Sequence, residues 1–216
     1  MKSVLFDSEY CSMGRWISIV VSQKLGIDFY DDQKLTELVS DDDLTKKEVD
    51  DLTKLLMETE ESYQKLSDSP LLKKVNAGMT KAVKKAIKKG PCMIHERGTK
   101  EDFSDSQEAI SVLIYNSSMK DKRKRALLDD KYMDTNEKEI DLENIVKQED
   151  KARSLYKNTI SQKDAWGKKE SYDLCLNTAS ISREKCVDIL INVLQESSIK
   201  KGDFEKIVAE EYGVVE

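Results

Sequence analysis

Five short apolar segments alternate with amphipathic stretches along this chain, and the alternation strongly restricts its fold. The segments cover residues 4–6, 27–30, 92–94, 111–115 and 172–177. Between them, apolar residues recur at steps of three and four, the period of a helix with one buried face. Short strands that alternate with helices form a parallel sheet covered on both faces. We therefore predict an α/β, three-layer sandwich with a five-stranded parallel sheet in the middle.

The lengths of the helical stretches predict how the chain is divided. The 216 residues suffice for one domain that carries an inserted subdomain. The stretch 35–89 keeps a helical pattern without an intervening strand, and helices are also predicted within 119–160. We therefore predict one domain over 1–198, with a helical insert at 35–89, and a C-terminal tail over 199–216.

Charge and cysteine content exclude several classes of protein. The net charge of -6 argues against a nucleic-acid-binding protein, which usually carries a basic excess. The four cysteines form no CxxC pair and His95 is the single histidine, so a zinc site is poorly supported. No apolar run approaches the roughly 20 residues that span a membrane, and acidic residues interrupt the first apolar segment early. We expect a cytoplasmic protein with reduced thiols and no membrane partner.

Arginines follow several of the predicted strands. Arg15 comes after the first strand, Arg97 after the third, and Arg123 and Arg125 after the fourth. Ligands of parallel sheets bind at the carboxyl ends of the strands, and a guanidinium group binds phosphate through two hydrogen bonds. The pattern predicts a pocket for a small phosphorylated ligand, although each arginine taken alone also fits an exposed surface position.

The segment SEYCSMGRW, residues 8–16, lies between the first strand and the first helix, where a phosphate-binding loop would be found. Such a loop needs several glycines and a lysine followed by serine or threonine. This segment has one glycine, Gly14, followed by Arg15 and Trp16. Two readings are open: a phosphate-binding loop that has diverged, or an ordinary turn.

A longer motif indicates a family. The stretch KARSLYKNTISQKDAWGKKESYDLCLNTASI, residues 151–181, resembles the cytidylate kinase-like family of P-loop nucleotide kinases. Family members carry an arginine in a lid helix, an aromatic residue, Trp-Gly, and then Tyr-Asp-Leu-x-Leu-Asn-Thr. The matching residues are Lys151, Arg153, Tyr156, Trp166, Gly167, Tyr172, Asp173, Leu174, Leu176, Asn177 and Thr178. The segments QKLGIDFYDDQKL, KKGPCMIHERG and IYNSSMKDKRKRA resemble other family segments in the same order.

The resemblance implies a P-loop NTPase-like fold, lid-like helices within 119–160, and a nucleotide kinase. Such an enzyme transfers the γ-phosphoryl group of ATP to a nucleoside monophosphate such as CMP, with Mg²⁺. The implied catalytic residues are Arg15 and Arg153. The implied donor-phosphate-binding residues are Cys11, Ser12, Met13, Gly14, Arg15, Trp16 and Arg123. The implied acceptor-binding residues are Asp31, Arg97 and Asp173. The sequence singles out no metal ligand.

The chain departs from the family pattern at the residues closest to the expected chemistry. Cys11 and Met13 stand where the family loop has glycines, which allow positive φ and a close approach of phosphate to the backbone. Trp16 replaces the serine or threonine that many P-loop proteins place next to Mg²⁺. Glu96 replaces the glycine that precedes Arg97. An alternative prediction is therefore a catalytically impaired nucleotide-binding or regulatory relative with a degenerate P-loop.

Overall fold

Five parallel strands form the centre of the computed structural model, which describes residues 1–59, 63–103, 109–129, 141–161, 165–195 and 201–212. The strands lie in the order β2-β3-β1-β4-β5. They are β1 (Ser3–Ser8), β2 (Asp28–Tyr30), β3 (Cys92–His95), β4 (Ala109–Tyr115) and β5 (Leu174–Asn177). The prediction of a five-stranded parallel sheet is confirmed, and each strand lies on or beside its predicted apolar segment.

Helices connect the strands. They are α1 (Gly14–Leu25), α2 (Asp32–Thr36), α3 (Lys46–Glu58), α4 (Tyr63–Leu66), α5 (Pro70–Lys89), α6 (Met119–Ala126), α7 (Leu142–Ile160), α8 (Arg183–Leu194) and α9 (Lys201–Tyr212). Short 3₁₀ turns cover Lys100–Asp102 and Lys169–Ser171. None of the described helices is both long enough and apolar enough to cross a bilayer.

The alternation of side chains along β1 explains why helices cover both faces of the sheet. Val4 and Phe6 point to one face, where they join a buried cluster that includes Ile17 of α1 and Leu190 of α8. Leu5 points to the opposite face, into a second cluster built largely from α3 and α5. Successive residues of a strand face opposite sides, so one strand contributes to both cores. The result is the predicted three-layer arrangement.

Polar residues at the strand ends begin the helices that follow. The Asp31 carboxylate accepts a hydrogen bond from the Lys34 amide at 3.0 Å and caps α2. Ser182 caps α8 in the same way, with its hydroxyl 3.2 Å from the Lys185 amide. Such caps satisfy amides that have no acceptor within the helix. They fix where each helix starts relative to the carboxyl edge of the sheet.

The helices α3 to α5 lie within the predicted insert, and α3 packs against α7. Leu52 and Leu56 of α3 are buried in the same cluster as Tyr156 of α7. This contact brings the insert over the carboxyl end of β3. It therefore forms one wall of the site described next.

Candidate functional site

The loop between β1 and α1, residues 9–13 and here called the β1–α1 loop, has an unusual backbone. Cys11 has a φ of 60° and Met13, the N-cap residue of α1, has a φ of 73°. Left-handed conformations are rare for residues with a Cβ atom and cost roughly 1–2 kcal/mol each. The loop therefore keeps a glycine-type backbone at two positions where the family glycines are absent.

Gly14 follows this loop at a position where a side chain cannot fit. A Cβ atom there would lie 2.2 Å from Cβ of Ser8, at the end of β1. The first turn of α1 thus packs directly on the strand. The single remaining glycine of the segment is the one that this close approach requires.

Hydrogen bonds from three other elements support the strained loop. Arg125 Nη1 of α6 donates to the Cys11 carbonyl at 3.0 Å, and Thr178 Oγ1 after β5 donates to the Ser12 carbonyl at 2.9 Å. The Tyr10 amide donates to Asp150 Oδ1 of α7 at 2.6 Å. Surrounding contacts that over-determine a conformation are what allow strain to persist. The loop geometry is therefore built into the fold.

A buried ion-pair network lies beneath the same loop. Lys122 Nζ of α6 lies 2.7 Å from Glu9 Oε2 and 2.8 Å from Asp150 Oδ2, and its side chain is 6% exposed. Burial of a lysine is tolerated when carboxylates pair with it. The network joins α6 and α7 to the start of the loop.

Two cavities open at the carboxyl edge of the sheet. The larger one, of about 1250 Å³, is lined by the β1–α1 loop, the start of α1 and part of α8. The smaller one, of about 260 Å³, lies between α3, α7 and the segment after β3. Asp32, Glu96, Glu149 and Arg153 line both. These shared residues form the boundary between the two spaces.

Three of the arginines predicted to bind nucleotide, Arg15, Arg97 and Arg153, each have a carboxylate partner. Arg15 Nη2 lies 2.5 Å from Asp31 Oδ2, and Arg97 binds Asp32 through two bonds of 2.5 and 2.7 Å. The Arg153 side chain reaches Glu96 at 3.2 Å and Glu149 at 2.9 Å. An anionic ligand that binds these guanidinium groups would have to displace the carboxylates.

Glu96 is held at the boundary in a left-handed conformation with a φ of 64°. Its Oε1 atom accepts a hydrogen bond from Ser8 Oγ at 2.7 Å and lies 3.4 Å from His95 Nε2. Burial disfavours the carboxylate, but Arg153 and the other positive neighbours outweigh burial and lower its pKa to about 2. Glu96 is therefore ionised at neutral pH.

His95 lies at the end of β3, between the rings of Phe6 and Phe29. Burial lowers the pKa of its imidazole, with a smaller opposing effect from Glu96, so the ring is neutral at pH 7. Its Nδ1 atom lies 3.5 Å from Ser18 Oγ. This environment is typical of a packed strand residue.

The structure brings most of the predicted site residues together. Arg15, Asp31 and Arg153 line the larger cavity, and Arg97 and Arg153 line the smaller one. The donor-side residues that line the larger cavity are Cys11, Met13, Gly14, Arg15 and Trp16. Trp16 is 65% exposed at the entrance. Ser12 is fully buried beneath the loop and lines neither cavity.

Two predicted site residues lie elsewhere. Arg123 lines neither cavity, whereas Arg125 on the same helix lines the larger one. Asp173 precedes β5, and its carboxylate accepts hydrogen bonds from the amide and hydroxyl of Ser111, both at 2.8 Å. It therefore lies at the amino end of the sheet, away from both cavities. Its role in this structure is to join β4 to β5.

Several residues that line the cavities were not predicted as site residues. Arg125 could have been found from its position after the fourth strand, and Trp166 from its place in the family motif. Tyr156 belongs to the same motif, whereas Asp32 and Glu149 gave no comparable indication in the sequence. Their positions depend on how α2 and α7 pack.

The cavity walls also bear on metal binding. Among the residues that the structure describes, no group of three or more His, Cys, Asp or Glu side chains is placed to hold a metal ion. Mg²⁺ in phosphoryl-transfer sites needs only one or two carboxylates, because nucleotide phosphates and water supply the other ligands. Asp31, Asp32 and Glu96 line the larger cavity and can serve in that way.

Comparison with known proteins supports the assignment that the geometry suggests. The crystal structure of an uncharacterized protein from Eubacterium ventriosum ATCC 27560 has the same fold, with a TM-score of 0.65 at 20% identity. The match covers 92% of this chain and 100% of that one. A search of curated proteins gave no significant match. The model of the cytidylate kinase-like family matches residues 4–180. This chain therefore belongs to the cytidylate kinase-like family.

Proposed function

We propose that this protein is a nucleotide kinase that transfers the γ-phosphoryl group of ATP to a nucleoside monophosphate such as CMP. The observation that carries the proposal is the position of Arg153, which lines both cavities. A phosphoryl group that passes from a donor in one cavity to an acceptor in the other must cross this boundary. A guanidinium group there neutralises the charge of the phosphoryl group in transfer.

The donor phosphates would bind at the N-terminus of α1. The first amides of a helix have no acceptor within the helix, and the helix dipole favours an anion there. Gly14 and Arg15 contribute such amides beside the larger cavity. The Arg15 side chain is 54% exposed, so it can leave Asp31 and turn toward the phosphates.

The acceptor would bind in the smaller cavity with its phosphate beside Arg97. An acceptor phosphate oxygen attacks the γ-phosphorus, a new P–O bond forms, and the bond to the β,γ-bridging oxygen breaks. ADP leaves with that oxygen. Positioning and charge neutralisation supply most of the catalysis in this chemistry, so the roles fall to Arg15, Arg97 and Arg153.

Mg²⁺ bound with ATP supplies further charge neutralisation, and Asp31, Asp32 and Glu96 are its candidate protein ligands. The four cysteines are free thiols, which suits the cytoplasm as the place of action. A nucleotide of this kind is a small soluble substrate, and the proposal requires neither nucleic acid nor a membrane as partner.

The test is ADP release from ATP and Mg²⁺ with a panel of nucleoside monophosphates. Arg153→Ala is expected to lower kcat at least a hundredfold, because the lost contact forms with the phosphoryl group in transfer. Lys147→Ala is the matched control, since Lys147 is an exposed cation of the same helix that pairs with Glu143. Equal turnover by both variants would contradict the proposal.

The strained loop supports a second candidate, a relative that binds nucleotide without transferring phosphate. Cys11 and Met13 both line the larger cavity and carry side chains where phosphate oxygens would approach the backbone. Thermal unfolding with ATP and with CMP, combined with the ADP-release assay, separates the two candidates. A ligand at 100 times its Kd stabilises the fold by about 2.7 kcal/mol. Stabilisation without turnover would favour the second candidate.

A further inference from the structure

Two buried hydrogen-bond donors face the smaller cavity without an acceptor. They are the Tyr156 hydroxyl and the Trp166 indole Nε1–H, and neither hydrogen finds an acceptor within the described part of the chain. The Arg97 guanidinium lies beside the Tyr156 hydroxyl but can only donate a hydrogen bond to it. Tyr156 is 2% exposed. Buried polar groups in folded proteins are nearly always paired. Two such groups on one cavity wall therefore indicate that a ligand pairs with them.

Neighbouring residues hold the Tyr156 ring and the Trp166 backbone in place. The Arg97 guanidinium lies over the Tyr156 ring, with Cζ 4.5 Å from the ring centre. Trp166 lies in a turn that contains Gly167 at a φ of 76°, and its amide donates to Asn158 Oδ1 at 2.9 Å. These contacts limit the entropy that binding would cost.

The charged groups of the same cavity already have partners. Arg97 pairs with Asp32, and Arg153 pairs with Glu96. The third cation, Lys157, lies 3.2 Å from Asp7 Oδ2. The groups of this cavity that still lack an acceptor among the residues that the structure describes are therefore two neutral hydrogen-bond donors on aromatic rings, those of Tyr156 and Trp166. Such a surface suits an uncharged ring that carries a carbonyl oxygen or ring nitrogen.

The size of the cavity agrees with this chemistry. Its volume of about 260 Å³ has room for one small heterocycle with its substituents. A phosphate joined to such a ring through a sugar would extend toward Arg97 and Arg153, at the boundary with the larger cavity.

We propose that Trp166 and Tyr156 bind the base of the acceptor nucleotide, each donating a hydrogen bond to a carbonyl oxygen or ring nitrogen. The inference rests on the proposed function for the identity of the ligand as a nucleotide. It gives the Trp166–Gly167 pair of the family motif a role in substrate recognition. Both residues determine specificity and take no part in bond making.

Calorimetric titration in the absence of ATP tests the role of these donors, with CMP and ribose 5-phosphate as the two ligands. Trp166→Phe and Tyr156→Phe each remove one donor and keep an aromatic ring. Each is expected to weaken CMP binding about five- to tenfold, the value of one hydrogen bond. Binding of ribose 5-phosphate, which has no base, is expected to stay unchanged. Tyr30→Phe is the matched control, because its hydroxyl donates to Asp28 outside both cavities.

Thermal unfolding of the free protein separates recognition from a structural role. Since the Tyr156 hydroxyl donates to no acceptor in the described part of the unliganded fold, Tyr156→Phe is expected to keep or raise the Tm. A Tm that falls together with CMP affinity would instead indicate a structural role and would overturn the proposal.

Unchanged CMP binding by both variants would also overturn it, as would wild-type binding of CMP no tighter than that of ribose 5-phosphate. The result is independent of the kinase assay. CMP binding that depends on Trp166 and Tyr156 without ADP release would support this inference and remove the proposed function. ADP release by the wild type, together with CMP binding that depends on neither residue, would support the proposed function and overturn this inference.

Discussion

Glu96 Oε1 lies 3.2 Å from Arg153 Nε, at the place where the two cavities meet. Glu96 stands where the family has a glycine, and its backbone keeps the left-handed conformation that a glycine would favour. A carboxylate at this position would repel a phosphate. Its pairing with Arg153 and Ser8 offsets that repulsion and leaves the ion pair as a contact that an incoming phosphoryl group must replace.

Replacing this carboxylate changes how stability depends on pH. Because the pKa of Glu96 falls from 4.5 to about 2 on folding, its stabilising contribution is full above pH 4.5 and is lost as the pH falls toward 2. The loss amounts to about 3 kcal/mol. Glu96→Gln is expected to lower stability at pH 7 and to flatten this acid dependence, as measured by urea unfolding between pH 2 and 7. An acid profile identical to that of the wild type would show that another group is responsible.

Gly14→Ala is expected to destabilise the protein by about 1–3 kcal/mol, because the new methyl group would overlap Cβ of Ser8. Chemical denaturation measures the loss. Ser8→Gly removes the Cβ atom that the new methyl group would overlap, so the double variant is expected to recover part of the stability that Gly14→Ala loses. Failure of the double variant to recover any stability would place the cause outside this contact.

Restoring glycine to the β1–α1 loop is expected to strengthen ATP binding. Cys11→Gly and Met13→Gly remove side chains from the wall of the larger cavity, where phosphate oxygens would approach the backbone. They also relieve left-handed strain of roughly 1–2 kcal/mol each, less about 0.5–1 kcal/mol of glycine entropy, but this changes the stability of the free and the bound protein alike. The double variant should bind ATP about fivefold more tightly, which corresponds to about 1 kcal/mol. Ser12→Gly is the control, because Ser12 lines neither cavity; an equal gain in ATP affinity there would contradict the argument from side-chain removal.

Arg125→Ala is expected to weaken ATP binding about tenfold, since the Cys11 carbonyl would lose its 3.0 Å bond to a charged donor. The loop would then sample conformations in which its amides no longer converge on the phosphates. Titration with ATP measures the change. Lys120→Ala removes an exposed cation from the same helix and should leave the Kd unchanged. If the two variants behaved alike, the effect would be one of overall charge.

The prediction of Arg123 shows where sequence reasoning about the site reaches its limit. Arg123 and Arg125 are two positions apart, so they project from α6 in nearly opposite directions. The sequence places an arginine on each of two opposite faces of α6 and does not indicate which face turns toward the cavity. The choice is made by the packing of α6 against α7, in which Lys122 is buried between Glu9 and Asp150.

Asp173 illustrates a second limit. The family motif assigned it to the acceptor, but its place before β5 puts it at the amino end of a parallel strand. The cavities lie at the carboxyl end, and the Asp173 carboxylate is engaged by Ser111. Asp173 lies at the start of the fifth strand, whereas Arg97 follows the end of the third. In a parallel sheet these positions are at opposite edges, so the sequence already indicated that the two residues do not share a site.

The sequence by itself determined the alternation of strands and helices, because hydrophobic period and capping residues act over a few neighbouring positions. It also determined that arginines follow strand ends, where a parallel sheet binds its ligands. Only the tertiary structure decided which carboxylate faces each guanidinium. The Arg97–Asp32 and Arg153–Glu96 pairs join residues 65 and 57 positions apart. Such pairs depend on strand order and helix packing, and no local pattern encodes them.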